Sequence, residues 1–90
     1  MKTHNLKCWP RYFEAIMYGK KTFEVRYNDR GYSIGDELLL FEYNNDRKEY
    51  TRRQTRVRVT DMFNDFGLQP GWVVMSIEHV LSGHCAPHPY

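Results

Sequence analysis

The sequence predicts a small, mostly β domain of about five strands with one N-terminal helix. Three observations predict it. Several short segments alternate apolar and polar residues, or run apolar for four residues, and turn formers separate them. A single stretch, near the N-terminus, carries apolar residues at helical spacing. Ninety residues suit one domain, and the 16% aromatic content supplies a core to a chain this short.

The elements follow in order. His4 to Cys8 reads as a short strand with Leu6 and Cys8 on one side and Lys7 on the other. Trp9-Pro10 opens a helix, since proline fits the first helical position. Phe13, Ile16 and Met17 form its apolar stripe, and Gly19 marks its stop. Thr22 to Tyr27 alternates, with Phe23, Val25 and Tyr27 on one face and Thr22, Glu24 and Arg26 on the other. That is the pattern of a strand with one buried face. Residues 28–31 and 33–36 are turn-like. Glu37 to Tyr43 is a strand whose Leu38-Leu39-Leu40-Phe41 run places it inside the sheet.

Residues 44–48 read as a hairpin loop, and Glu49 to Thr60 as a long strand. In it Arg52, Gln54, Arg56 and Arg58 point one way and Thr55, Val57 and Val59 the other. Asp61 to Gly71 lacks periodicity and is expected to be a loop held by Phe63, Phe66 and Leu68. Trp72 to Val80 is the last strand, with Val73, Met75, Ile77 and His79 on one face. Residues 1–80 form the expected domain. Residues 81–90, with two prolines and a glycine, form a loosely ordered tail.

Composition narrows the function classes. No apolar run approaches the roughly 20 residues that span a bilayer, and the first residues lead into no signal-peptide core. The expectation is a cytoplasmic protein without a membrane partner, in which Cys8 and Cys85 are free thiols. Net charge is only +2, but Arg52, Arg53, Arg56 and Arg58 fall close together. Such a strip can attract phosphates, and it can equally be a solvated strand face. His84, Cys85 and His88 have zinc-like spacing without an evident fourth ligand, so no metal and no cofactor are expected.

The most informative segment is Gly19-Lys20-Lys21-Thr22-Phe23-Glu24-Val25-Arg26. Glu24 and Arg26 share a strand face, and Lys21 stands at the strand's mouth. Two cations beside one carboxylate keep spare donors for a phosphate or a base carbonyl. The same charges also suit a salt-bridged outer face. Trp9 and Tyr12, beside the helix start, are candidate stacking platforms, and Trp72 is a weaker one.

GKKTFEVR is similar to the GxKxxExR pattern of the ASCH domain, a member of the PUA-like β-barrel superfamily. Flanking pieces resemble the phage and bacterial DUF3850 subgroup: His4-Asn5-Leu6-Lys7, Tyr12-Phe13, Asn28-Asp29-Arg30, Gly35-Asp36, Glu42-Tyr43 and Phe66-Gly67-Leu68 through Gly71-Trp72-Val73-Val74. The resemblance covers roughly residues 4 to 80. It implies a PUA-like barrel with a cleft between helix and sheet that binds RNA or a nucleotide. Gly19, Lys21, Glu24 and Arg26 are its motif positions, with Lys7 and Arg30 belonging to the subgroup pattern.

The expected ligand-binding set is therefore Lys7, Trp9, Tyr12, Gly19, Lys21, Glu24, Arg26 and Arg30, with Arg52, Arg56 and Arg58 from the basic strip. One ASCH branch hydrolyses N4-acetylcytidine nucleosides with a lysine and a threonine of this motif and a glutamate from a later insertion. Lys21 matches that lysine, Glu24 stands where the threonine would be, and the insertion looks absent. The alternative function is thus a small amidohydrolase with Glu24 as base and Lys21 holding the oxyanion. A third is a phage-type accessory protein that blocks a host protein.

Overall fold

The computed structural model describes residues 1–65 and 67–80. Phe66 and residues 81–90, with the His84, Cys85 and His88 group, lie outside the described residues. Among the described residues, five strands and one helix follow the expected order: β1 (Thr3–Cys8), α1 (Pro10–Met17), β2 (Phe23–Tyr27), β3 (Glu37–Asn44), β4 (Glu49–Phe63) and β5 (Trp72–His79). They form one sheet in the order β1-β3-β4-β5-β2. β1 runs parallel to β3, and the other pairs are antiparallel.

The helix covers the concave face. Phe13 and Ile16, from the predicted stripe, are fully buried with Leu38, Leu40, Val57, Val59 and Met75, and Met17 packs at the rim. Deleting a buried ring such as that of Phe13 costs about 3–5 kcal/mol by the general cavity rule, so this face holds the fold together. His4, Leu6 and Cys8 of β1 and Val73, Met75 and Ile77 of β5 complete it. His79 is half-buried, and its Nε2 lies 2.9 Å from the Ile16 carbonyl, tying β5 to the helix.

The curled sheet leaves β1 and β2 as its two edges, and no backbone ladder joins them. Two guanidinium groups span the seam instead. Arg26 donates from Nη2 to the Lys7 carbonyl at 2.8 Å, and Arg30 donates from Nη1 to the Asn5 carbonyl at 3.0 Å. The sheet is thus a half-barrel whose seam is bridged by side chains. Edge carbonyls that would otherwise invite another strand are occupied.

β4 departs from the sequence reading in two places, each at a bulge. Between the pairs Phe41↔Gln54 and Tyr43↔Tyr50, Glu42 alone faces Thr51, Arg52 and Arg53. Arg52 takes a positive φ of 76° there, so it does not continue the alternation of Arg56 and Arg58. Beyond Val59 a second register shift absorbs Thr60, which turns Met62 toward the core opposite Met75. The strand therefore runs on through Asp61–Phe63, where a loop was expected.

Candidate functional site

The site is built from the end of α1 and the start of β2. Gly19 takes φ 74°, the left-handed turn that glycine enters without steric cost. The turn folds the chain back so that the amides of Lys20 and Lys21 both donate to the Ala15 carbonyl, at 2.8 and 3.0 Å. Lys21 is thereby delivered to the mouth of β2.

On β2 the two-residue alternation holds, and the charged side is the one turned inward. Glu24 is only 3% exposed, whereas Phe23, Val25 and Tyr27 are 39–54% exposed. A buried carboxylate needs partners for its lone pairs, and Glu24 has them. Lys21 Nζ donates to Oε1 at 2.7 Å, and Arg26 Nε donates to Oε2 at 2.9 Å. The Lys21 ammonium also lies 5.4 Å from the Tyr12 ring centre and 5.0 Å from that of Phe23, within cation–π range.

These groups line a cleft of about 810 Å³ whose walls include Trp9, Tyr12, Lys7, Tyr27 and Trp72. Trp9 and Tyr12 stack with ring centres 6.2 Å apart and an interplanar angle of 24°. Trp9 is 54% and Tyr12 40% exposed, so both present ring surface. Tyr27 and Trp72, which also line the cleft, meet edge to face. Cys8 also lines the cleft, but burial, helped by the nearby Glu24, pushes its thiol up to about 12. It stays protonated near neutrality and is a poor nucleophile.

Both Glu24 oxygens and two of the three Arg26 nitrogens are occupied within the protein. Among the described residues, two Lys21 ammonium protons and the Nη1 protons of Arg26 have no acceptor. What the cluster offers a ligand is donors, so it suits a phosphate or a carbonyl. No group of three or more metal-ligating side chains occurs among the described residues.

The structure thus brings together Lys7, Trp9, Tyr12, Lys21, Glu24 and Arg26, with Gly19 setting the turn and Arg30 on the seam. It does not bring the basic strip there. Arg56 and Arg58 project from the convex face, where both donate to Glu37. Arg53 lies on the concave side, bonding Glu42 and, at 2.7 Å, Glu14 of α1. Arg52 sits at the bulge and lines neither the cleft nor the seam. His4 is buried against Asp36 at 2.8 Å and fixes the turn before β3.

Sequence reasoning missed Phe23, Tyr27 and Asp29 as cleft residues. The signal was present in β2: once Glu24 and Arg26 are turned inward, alternation puts Phe23, Val25 and Tyr27 outside.

Fold and site together define a small half-barrel protein with a cationic, aromatic cleft between one helix and an edge strand. The chain belongs to the DUF3850 family, described as a domain of unknown function, whose model matches residues 3–77. It is also similar to an uncharacterized 12.9 kDa protein in the GpA 3′ region of Escherichia phage P2, at 38% identity over 61 residues. That match takes in 68% of this chain, and the chain spans about half, 54%, of the phage protein's length. No helix among the described residues is long and apolar enough to cross a membrane.

Proposed function

We propose that this protein binds RNA or a nucleotide in the cleft between α1 and β2. The observation that carries the reading is the Lys21–Glu24–Arg26 cluster beside exposed, stacked Trp9 and Tyr12. Spare donors on two cations fit a phosphate or a base carbonyl, and exposed rings fit a base. The likeness of GKKTFEVR to the ASCH motif supports it, since members of that PUA-like family are inferred to bind RNA or nucleotides. Membership in the DUF3850 family leaves the ligand open.

The test is binding of short oligoribonucleotides by fluorescence anisotropy across a salt series. Affinity is expected to fall with salt as counterions are released. Arg26→Ala and Trp9→Ala are each expected to weaken binding. Parent-like affinity in both variants would remove the cleft from consideration.

The amidohydrolase reading asks more of Glu24. As general base it would take the water's proton on the second lone pair of an oxygen that already accepts from a cation. Incubation with N4-acetylcytidine tests it directly, because turnover abolished in Lys21→Ala would bring the enzyme back. Binding to a host protein, the third reading, predicts a stoichiometric protein partner with no nucleic acid in the complex.

A further inference from the structure

The cleft has a neighbour. A second hollow of about 770 Å³ lies across the β1–β2 seam, lined by Asn5, Leu6, Lys7, Arg26, Arg30, Phe41 and Tyr50. The two hollows share Lys7 and Arg26, so they meet at the bridged seam. The second has aromatic surface of its own. Tyr50 is 53% exposed and packs edge to face on Phe41 and Tyr43, with ring centres 6.3 and 5.0 Å away. The Lys7 ammonium lies 4.2 Å from the Tyr43 ring centre and 5.9 Å from that of Tyr50.

We infer that the two hollows form one continuous track, and that the ligand is a single strand of RNA several nucleotides long. The inference rests on the RNA-binding reading above and extends it. One base would stack in the first hollow by Trp9 and Tyr12, another against Tyr50 in the second, and the backbone would cross the seam between them.

Three features carry this. The walls of the two hollows hold four cations, Lys7, Lys21, Arg26 and Arg30, against two carboxylates. One of those carboxylates, Glu24, already pairs with two of the cations, Lys21 and Arg26. The bridging guanidiniums are anchored to carbonyls two residues apart on β1. A strand rises about 3.3 Å per residue, so the anchors stand about 6.6 Å apart along the seam. Successive phosphates of an extended strand can match that interval. Finally, aromatic surface lies on both sides of the cations, the alternation of backbone-tracking charge and stacking rings that single strands use. A duplex would keep its base faces stacked away from these rings.

The experiment is a length series with the full chain: uridine 5′-monophosphate, then oligouridines of two, four and eight residues, measured by calorimetry at fixed salt. The tetranucleotide is expected to bind at least about tenfold more tightly than the monophosphate, as a second stacked base implies. Tyr50→Ala is expected to remove most of that gain while leaving monophosphate binding unchanged. Arg30→Ala should also shrink that gain, and equal melting temperatures of the variants and the parent confirm intact folding. Equal affinity for monophosphate and tetranucleotide, or a Tyr50→Ala protein that retains the whole gain, overturns the track and leaves the cleft reading standing. Tighter binding of an RNA duplex of equal length also overturns it. Failure of every ligand to bind overturns both.

Discussion

Glu24 and Glu37 are each held between two cationic side chains, one on the concave face of the curled sheet and the other on the convex face. Both carboxylates are buried, at 3% and 7% exposure. Their partners differ. Arg56 and Arg58, on Glu37, have side chains 44% and 41% exposed, and neither lines the cleft or the seam hollow. Lys21 and Arg26, on Glu24, are 16% and 27% exposed and look into a cleft with rings beside them. The same ion-pair chemistry therefore has two uses. On the convex face it neutralises charge on a strand surface. In the cleft it fixes two cations where a ligand can reach their free protons and water competes less.

The sharpest way to break this comparison is to remove one cation from each cluster. Arg26→Ala deletes a bond to Glu24, a bond to the seam and the free Nη1 donors. RNA affinity is expected to fall about a hundredfold, in line with loss of a buried charge-assisted contact. Arg56→Ala and Arg58→Ala are expected to leave RNA affinity within about twofold, as exposed charges away from an interface generally do. Titration of each variant at one salt concentration checks both. A loss in Arg58→Ala as large as in Arg26→Ala would return the basic strip to the binding surface.

Removing the carboxylates separates the clusters by stability. Glu24→Gln leaves two half-sheltered cations facing each other, and is expected to cost about 2–3 kcal/mol. Glu37→Gln leaves two arginines that can turn to water, and about 1 kcal/mol is expected. Urea unfolding measures both. Equal losses would mean that the cleft shields its ions no better than the convex face.

Acid sharpens the picture of the second cluster. Bonds from Arg56 hold the Glu37 carboxyl below its ordinary 4.5, with Arg58 adding to them and burial opposing. Arg53 does the same for Glu42. Burial pushes Asp36 up, but bonds from His4 and the Lys2 and Ser33 amides outweigh it and leave Asp36 below its ordinary 3.8. Each group is ionised in the folded protein at pH values where the unfolded chain has begun to take up protons. Their stabilisation is therefore complete above about pH 5.5, where the unfolded carboxyls are ionised too, and is lost as pH falls through 4.5 and below. The contribution of these carboxyls to the unfolding free energy is expected to drop below that point, and Glu37→Gln to flatten the drop. Chemical denaturation at stepped pH checks it. A Glu37→Gln slope equal to the parent's would mean the convex cluster does not contribute.

Much of this architecture was legible in the chain because its signals are local. Pro10, the Phe13–Ile16–Met17 stripe and Gly19 bounded the helix to within a residue. Alternation in β2 puts Glu24 and Arg26 on one side, which makes the cluster visible in the sequence. What alternation cannot say is which side is inside, and in β2 the apolar side lies outside. The arginine strip met the same limit: alternation put Arg56 and Arg58 on one face of β4, and that face is the convex one, away from the cleft. A bulge takes Arg52 out of the alternation. A bulge puts extra residues of one strand opposite one residue of its partner, and the alternation of β4 does not announce it. The seam was invisible as well, since it depends on backbone carbonyls at Asn5 and Lys7, which any residue supplies.

The smallest expected effect separates the two regions through glycine alone. Gly35, one turn before Glu37, and Gly71, before β5, both have positive φ, 95° and 89°. Alanine at either should cost about 1 kcal/mol for the backbone alone. Their surroundings differ. A Cβ at Gly35 meets nothing within 4 Å, whereas one at Gly71 comes within 2.5 Å of the Tyr27 ring. Tyr27 must then swing away, and it forms the cleft wall with Trp72. Both variants are thus expected to melt a few degrees lower, but only Gly71→Ala should weaken RNA binding, by about two- to threefold for one displaced ring at a wall. Matched losses of affinity in the two variants would show that the effect travels through global stability. A loss confined to Gly71→Ala would mean that the Tyr27–Trp72 wall takes part in holding the base.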